Sequence, residues 1–263
     1  MHGDWTGCHS TTWDANAPDA GKRDLTNQYT KSGYPLGIMV NMNGERFVDE
    51  GEDYRSYTYA KFGRTTLCQP GSTAFQVWDS QTICQLRREE YGDDVVEKIT
   101  ANSIEELAEK LAGKGLRDAN NFISTINEFN TAVGLYREED AVARWDPSVK
   151  DGLSTQSSRL QLSVPKTNWA LPIDQPPFMA VKVTCGITFT FGGLAINPDT
   201  AGVISAVTGK TIDGLFCAGE MVGGLFYENY PGGSGLTAGA VFGRKAGKAA
   251  GANTISFAVL QTF

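Results

Sequence analysis

The sequence holds only two histidines, His2 and His9, and no Cys-x-x-Cys pair, so the usual ligand set of a zinc site is missing. Cysteine is equally scarce. Cys8, Cys68, Cys84, Cys185 and Cys217 are odd in number and far apart, which fits reduced thiols in a cytoplasmic protein better than a disulfide framework. Positive charge is in deficit: 23 Lys and Arg against 30 Asp and Glu leave a net charge of -7, and the pI is near 5.0. That balance opposes binding to a nucleic-acid backbone. No uncharged run is long enough for a bilayer span, since the longest, 183–198, carries three glycines, three threonines and an Asn-Pro break. The start, Met1-His2-Gly3-Asp4-Trp5, lacks the basic region and apolar run of a secretory signal. What remains is an ordinary globular composition, 41% apolar and 20% charged, in a chain of 263 residues, enough for one large domain or two modest ones. The one excess is glycine, 30 residues, much of it between Gly186 and Gly251.

Residues 1–34 show neither helical nor strand periodicity. From Leu36 the pattern clears: Leu36–Met42 and Glu45–Val48 flank Asn43-Gly44, which predicts a β-hairpin with a type I′ turn. A short helix over 53–62 ended by Gly63 follows, then a strand over 74–78 and a helix capped by Asp79 or Ser80. Ser103-Ile104-Glu105-Glu106 is a capping box and predicts a helix over 103–112. Phe122, Ile123, Ile126, Phe129 and Val133 repeat at helical spacing up to Gly134, a core-facing stripe. Residues 145–177 are rich in Pro, Ser and Asp and read as a connection. Short strands over 178–183, 193–196 and 214–218 and a helix over 236–250 complete the reading. The fold class is therefore α+β, with a β-rich start, a helical insertion resembling a lid, and a β-rich close.

The densest chemistry lies in Gly219-Glu220-Met221-Val222-Gly223-Gly224 and Asn229-Tyr230-Pro231-Gly232-Gly233-Ser234-Gly235, which lead into the helix opening Leu236-Thr237-Ala238-Gly239. A helix start presents unpaired amides and the positive end of its dipole, and so favours an anion or an electron-rich ring. Gly233–Ala238 matches G-x-G-x-x-A, but without a preceding strand and a surrounding βαβ unit the match is coincidental.

With Phe191-Gly192-Gly193-Leu194-Ala195-Ile196-Asn197, Gly214-Leu215-Phe216-Cys217-Ala218-Gly219-Glu220 and Val241-Phe242-Gly243-Arg244-Lys245-Ala246-Gly247, this segment resembles the carboxy-terminal flavin-binding signature of the fumarate reductase and succinate dehydrogenase flavoproteins. Upstream, Asn41–Glu50 resembles the family's entry into a mobile capping domain. Gly3–Ser10 and Tyr54–Lys61 are most similar to FAD-dependent tricarballylate dehydrogenases.

The resemblance implies residues 1–48 and 166–263 as parts of an FAD-binding domain and 49–165 as the capping domain. It also implies that the amino-terminal Rossmann-like half holding the ADP moiety is missing, since nothing before Leu36 supplies it. Such a chain is expected to bind FAD weakly or not at all and to self-associate through the exposed apolar face. Glu220, beside Gly219, would accept hydrogen bonds from the flavin ribityl chain, and Gly235 and Leu236, in the Gly233-Ser234 loop, would offer amides to the isoalloxazine. His9 would bind a substrate carboxylate, and Arg55 would shuttle a proton with Glu50, Glu52 or Asp53 as relay. Two departures stand out. Tyr230 occupies the place of a carboxylate-binding arginine, and Thr188-Phe189-Thr190-Phe191 the place of a histidine. The implied activity is hydride transfer from a small anionic polycarboxylate to flavin, with a soluble or membrane electron acceptor. A 3-ketosteroid dehydrogenase, in which Tyr230 polarises a carbonyl, and a flavin-free, non-catalytic fragment are the alternatives.

Overall fold

The computed structural model of the chain describes residues 8–18, 24, 26–227 and 229–260. Two compact units are present, one formed by Ser10–Gly186 and the other containing the chain from Ile187 onward.

The first unit is built on an antiparallel sheet in the order β1-β5-β3-β2, with β4 also pairing with β5. Its strands are β1 (Cys8–Asp14), β2 (Ile38–Asn41), β3 (Ala74–Trp78), β4 (Ile99–Ala101) and β5 (Phe178–Thr190). Ile38 lies opposite Val77, and Val77 opposite Ala180, so the pairing joins segments a hundred residues apart. Alternate side chains serve two cores. Ile38, Val40, Phe75, Val77 and Ala180 pack with α5 (Ile104–Ala112) and α6 (Ala119–Glu139). On the other face Met39, Trp78, Met179 and Val181 pack with Tyr34, Tyr91 and Phe62 of α2 (Arg55–Leu67). Every residue of β2 and β3 is buried as a result, which is why those strands lack the polar alternation of a half-exposed sheet. Four-residue helices α1 (Thr26–Tyr29), α3 (Ser80–Ile83) and α4 (Arg88–Tyr91) fill the connections.

Several local expectations need correction. The turn at Asn43-Gly44 is not type I′: only Gly44 has positive φ, at 82°. Gly44 N–H bonds Asn41 O and Asn41 N–H bonds Glu45 O, so the return strand shrinks to a single bridge between Arg46 and Val40. Gly63 does not stop its helix. It lies inside α2 where a Cβ would come 2.4 Å from the Thr11 amide, so glycine there permits close approach to β1. Gly134 is likewise passed over by α6, and β1 was invisible in a stretch without periodicity. Half of the capping box is present, with Ser103 Oγ accepting from Glu106 N–H at 3.1 Å, while the Glu106 carboxylate accepts from Asn102 N–H at 2.7 Å in place of Ser103 N–H.

The second unit pairs β6 (Gly202–Ile204) antiparallel to β7 (Thr211–Phe216). A small core of Val203, Cys217 and Val222 packs with Leu194 and Ile196. A Cβ on Gly193 would meet Met221 O at 2.4 Å, and this closeness allows the parallel bridge Leu194–Val222. The 27-residue α7 (Ser234–Leu260) begins two residues earlier than the pattern suggested and runs ten residues further. Among the described residues no helix is long and apolar enough to cross a membrane, and no three His, Cys, Asp or Glu cluster as metal ligands.

Candidate functional site

In the Ser10–Gly186 unit the site rests on the segment from Lys31 to Leu36. Gly33 is clamped on both sides, its N–H donating to Tyr91 Oη at 2.8 Å and its carbonyl accepting from Trp78 Nε1 at 2.9 Å. Tyr91 donates in turn to the buried Gln76 Oε1 at 2.7 Å. Burial pushes its phenol well above the ordinary range, so it stays a neutral donor. Next along, Tyr34 Oη meets Thr58 Oγ1 at 2.8 Å and pins the first turn of α2, which opens at Arg55. Ser32 and Arg55 are thus positioned from buried aromatic residues.

Between them lies Glu90. Its carboxylate is 3% exposed and accepts from Ser32 N–H and from Ser32 Oγ, both at 2.7 Å, and from Arg87 Nη1 at 2.9 Å. Arg55 Nη1 donates to Ser32 Oγ at 2.9 Å and lies 4.0 Å from Glu90 Oε1. The two guanidiniums are each about half exposed. They share one buried carboxylate, and Arg87 Nε also lies 3.9 Å from the exposed Glu89. Both guanidiniums line a cavity of about 450 Å³ together with Tyr54, Leu86 and Trp169 but with no carboxylate in its described lining. Charge-assisted bonds of this kind set geometry as well as energy.

The three relay carboxylates expected from the sequence are engaged elsewhere. Glu50 is buried against Arg46 and the Met39 amide, Glu52 pairs with Lys61, and Asp53 lies 3.6 Å from Lys150. Glu90 takes their place beside Arg55. It stands in Arg87-Arg88-Glu89-Glu90-Tyr91, a run that reads as a solvated charge cluster, and only the three-residue spacing of Arg87 and Glu90 hints at an ion pair.

In the second unit Gly219 (φ 77°) opens a single 3-10 turn, Gly219–Met221, and the exposed Glu220 accepts from Thr190 N–H at 3.1 Å. Phe191, Phe226 and Tyr230 form an aromatic cluster with centroids 4.7–6.5 Å apart. Tyr230 is 6% exposed, and its phenol oxygen accepts from Gly235 N–H, an amide expected to face the flavin. Gly233 (φ 84°) turns the chain into α7, and Ser234 Oγ bonds Pro231 O at 2.6 Å as its N–H does at 3.1 Å. Leu236 is exposed, and its amide has no acceptor among the described residues. Phe191, Gly219, Glu220, Phe226 and Gly235 line a cavity of about 150 Å³. The side chain of His9 lies outside the described residues.

The residues expected from the sequence to hold flavin, Gly219, Glu220, Gly233, Ser234, Gly235 and Leu236, thus come together around one helix start, with Tyr230, expected to face the substrate, bonded among them. Arg55 stands in a separate cluster whose partners, Ser32, Arg87 and Glu90, the sequence did not single out.

A family model described as FAD binding domain matches residues 17–236. The chain is 32% identical over 210 residues to a probable fumarate reductase of Shewanella frigidimarina, covering 80% of this chain and 30% of that protein. It is 27% identical over 249 residues to the 4-oxocyclohex-2-ene-1-carboxylate 5-dehydrogenase of Sinomonas cyclohexanicum, covering 87% and 38%. A flavocytochrome c3 fumarate reductase in its open conformation superposes with a TM-score of 0.57 at 27% identity, covering 94% of this chain and 36% of that one. The chain thus spans 30–38% of the length of these three proteins.

Proposed function

The chain belongs to the FAD binding domain family, and from that premise we propose that it serves in the FAD-dependent oxidation or reduction of a small carboxylate substrate. The observation that carries this reading is the Arg55–Ser32–Glu90 chain beside a cavity lined by two guanidiniums and, among the described residues, no carboxylate. The names of both relatives specify a carboxylate, fumarate in one and an oxocyclohexene carboxylate in the other.

FAD, when bound, supplies a ring that takes up or releases a hydride. The residues around α7 fit one edge of such a ring. The Leu236 amide and the helix dipole offer positive charge, Glu220 offers an acceptor, and Phe191 and Phe226 offer a flat apolar wall. A cavity of about 150 Å³ encloses only part of a dinucleotide.

In the reducing direction Arg55 acts as the acid toward the substrate carbon, and a proton taken from solvent by Glu90 passes through Ser32 Oγ to restore the guanidinium. In the oxidising direction the same two hydrogen bonds run toward Glu90. The finer reading of the substrate as tricarballylate draws on the Tyr54–Lys61 similarity. Against it stands the charge of the wall, where Glu90 and Glu89 already offset Arg55 and Arg87 and leave too little positive charge for three carboxylates.

The test is a titration of the whole chain with FAD, followed by assay with reduced methyl viologen and fumarate. Saturable quenching of flavin fluorescence, weakened by Glu220→Ala, is expected, with turnover reduced about a hundredfold or more in Arg55→Gln and FAD affinity unchanged. Flavin fluorescence indifferent to the protein, or equal turnover in Arg55→Gln, refutes the reading.

A further inference from the structure

The cavity beside α2 has two unlike walls. One carries Arg55 and Arg87, held around Glu90. The other is Pro35, Leu86, Tyr54 and Trp169, with the two rings at 5.8 Å between centroids. Trp169 is fixed in place: Nε1 donates to Val149 O at 2.7 Å and to Asp146 O at 3.1 Å, and its own N–H donates to Asp151 Oδ1 at 2.8 Å. Its φ of 58° is a genuine outlier for a bulky residue. Such strain persists only where the surroundings over-determine it, and here it sets an indole against the cavity.

Two features of a ligand follow from these walls. Glu90 lies against both guanidiniums and Glu89 is 3.9 Å from Arg87, so the polar wall keeps positive charge for at most one anionic group. The remaining surface is largely apolar and aromatic, with Ser32, Ser56 and Gln85 as its other polar side chains, and a volume of about 450 Å³ falls in the range that encloses a whole small molecule. We propose that this cavity binds a monocarboxylate on a cyclic or branched hydrocarbon body, its carboxylate between Arg55 and Arg87 and its body against Tyr54 and Trp169. Glu90 is then a positioning residue that holds the two guanidiniums at one carboxylate's span. This deepens the function proposed above and rests on it in taking the ligand to be the substrate.

The experiment is binding to the flavin-free whole chain at fixed ionic strength, by calorimetry and tryptophan fluorescence. The probes are cyclohexanecarboxylate, cyclohexanemethanol and tricarballylate. Cyclohexanecarboxylate is expected to bind about tenfold or more tighter than either of the others. Arg55→Gln and Arg87→Gln should each raise its Kd about tenfold or more, the effect of losing a charge-assisted hydrogen bond. Arg55→Lys, which keeps the charge, should recover part of that loss, and Lys150→Gln, outside the cavity, should change nothing. Tricarballylate binding as tightly as cyclohexanecarboxylate overturns the proposal. So does binding that ignores both arginine variants while their circular dichroism matches the parent. No flavin enters this measurement, so a chain that takes up FAD but not cyclohexanecarboxylate refutes the cavity assignment alone, and the converse result refutes only the redox reading.

Discussion

Replacing Glu90 by Gln removes one charge and one acceptor while keeping the shape of the side chain. The remaining carbonyl oxygen still accepts from Ser32, whose N–H and Oγ both lie at 2.7 Å, but the new amide must face Arg87 Nη1 at 2.9 Å, donor against donor. Loss of a hydrogen bond to a charged partner costs about 1.5–3 kcal/mol. A second cost is repulsion. Arg55 and Arg87 approach the same Glu90 Oε1, at 4.0 and 2.9 Å, so their nitrogens lie within about 7 Å of each other. With the carboxylate gone they repel by about 2 kcal/mol at an effective dielectric near 20. Both are half exposed, so water and salt reduce that figure, and the full 3–5 kcal/mol of a stranded buried charge does not apply. The expected loss is about 2–3 kcal/mol. Urea unfolding followed by tryptophan fluorescence reads it directly, since Trp13, Trp78, Trp145 and Trp169 all lie in the Ser10–Gly186 unit. In a unit of this length the Tm should fall by about 5–10 °C. Salt separates the two contributions: at about 1 M the repulsion is screened and the gap to the parent should narrow to the hydrogen-bond part. A loss under about 0.5 kcal/mol, far below the hydrogen-bond cost alone, or a gap that widens with salt, refutes the account of Glu90.

Lys166 is buried, donates to Pro35 O at 2.9 Å and Gly37 O at 2.5 Å, and is pushed by burial from 10.5 to about 8. Between those values the unfolded chain holds a proton that the folded one lacks. Stability should therefore rise from pH 8 to about 10 by up to about 3 kcal/mol, with Lys31, lowered to about 8 by burial, adding in the same sense. Above pH 10 the buried phenols of Tyr34 and Tyr91, held above their ordinary range, act in the opposite sense. Lys166→Met should flatten the rise, and an identical pH profile contradicts this. Gly63→Ala should cost about 2–3 kcal/mol because its Cβ meets the Thr11 backbone. Gly243→Ala in α7, where a Cβ meets nothing within 4 Å, should gain about 0.5–1 kcal/mol. Equal thermal shifts in the two variants contradict this reading of the glycines.

Local signals were the legible ones. The Ser103 capping box lies within four residues and fixes the start of α5 whatever surrounds it, and the loop from Gly219 to Leu236 gathers around one helix start because its members are neighbours in the chain. The glycines deceived in proportion to their distance from their cause. Gly44 is set by its own turn, whereas Gly63 answers to β1, some fifty residues earlier, and so looked like a helix stop. Strand β1 itself was illegible, because strands buried on both faces or paired at a distance lose the alternation that announces them.

The carboxylate beside Arg55 shows the same limit in its sharpest form. Glu50, Glu52 and Asp53, the acidic residues nearest Arg55 in the chain, each meet a cation of their own, Arg46, Lys61 and Lys150. Arg46 and Lys61 are sequence neighbours of their carboxylates, whereas Lys150 reaches Asp53 from a distant segment. Glu90 reaches Arg55 only because Trp78 and Tyr91, from two different elements, both hold Gly33, and Ser32 travels with it. The address of the cluster is therefore written in the aromatic residues that hold one glycine, while the charged residues proposed to act there are indistinguishable in sequence from a solvated run. A change at Trp78 or Tyr91 should accordingly disturb the Arg55 cluster without touching it, whereas a change at Glu52 should leave it intact.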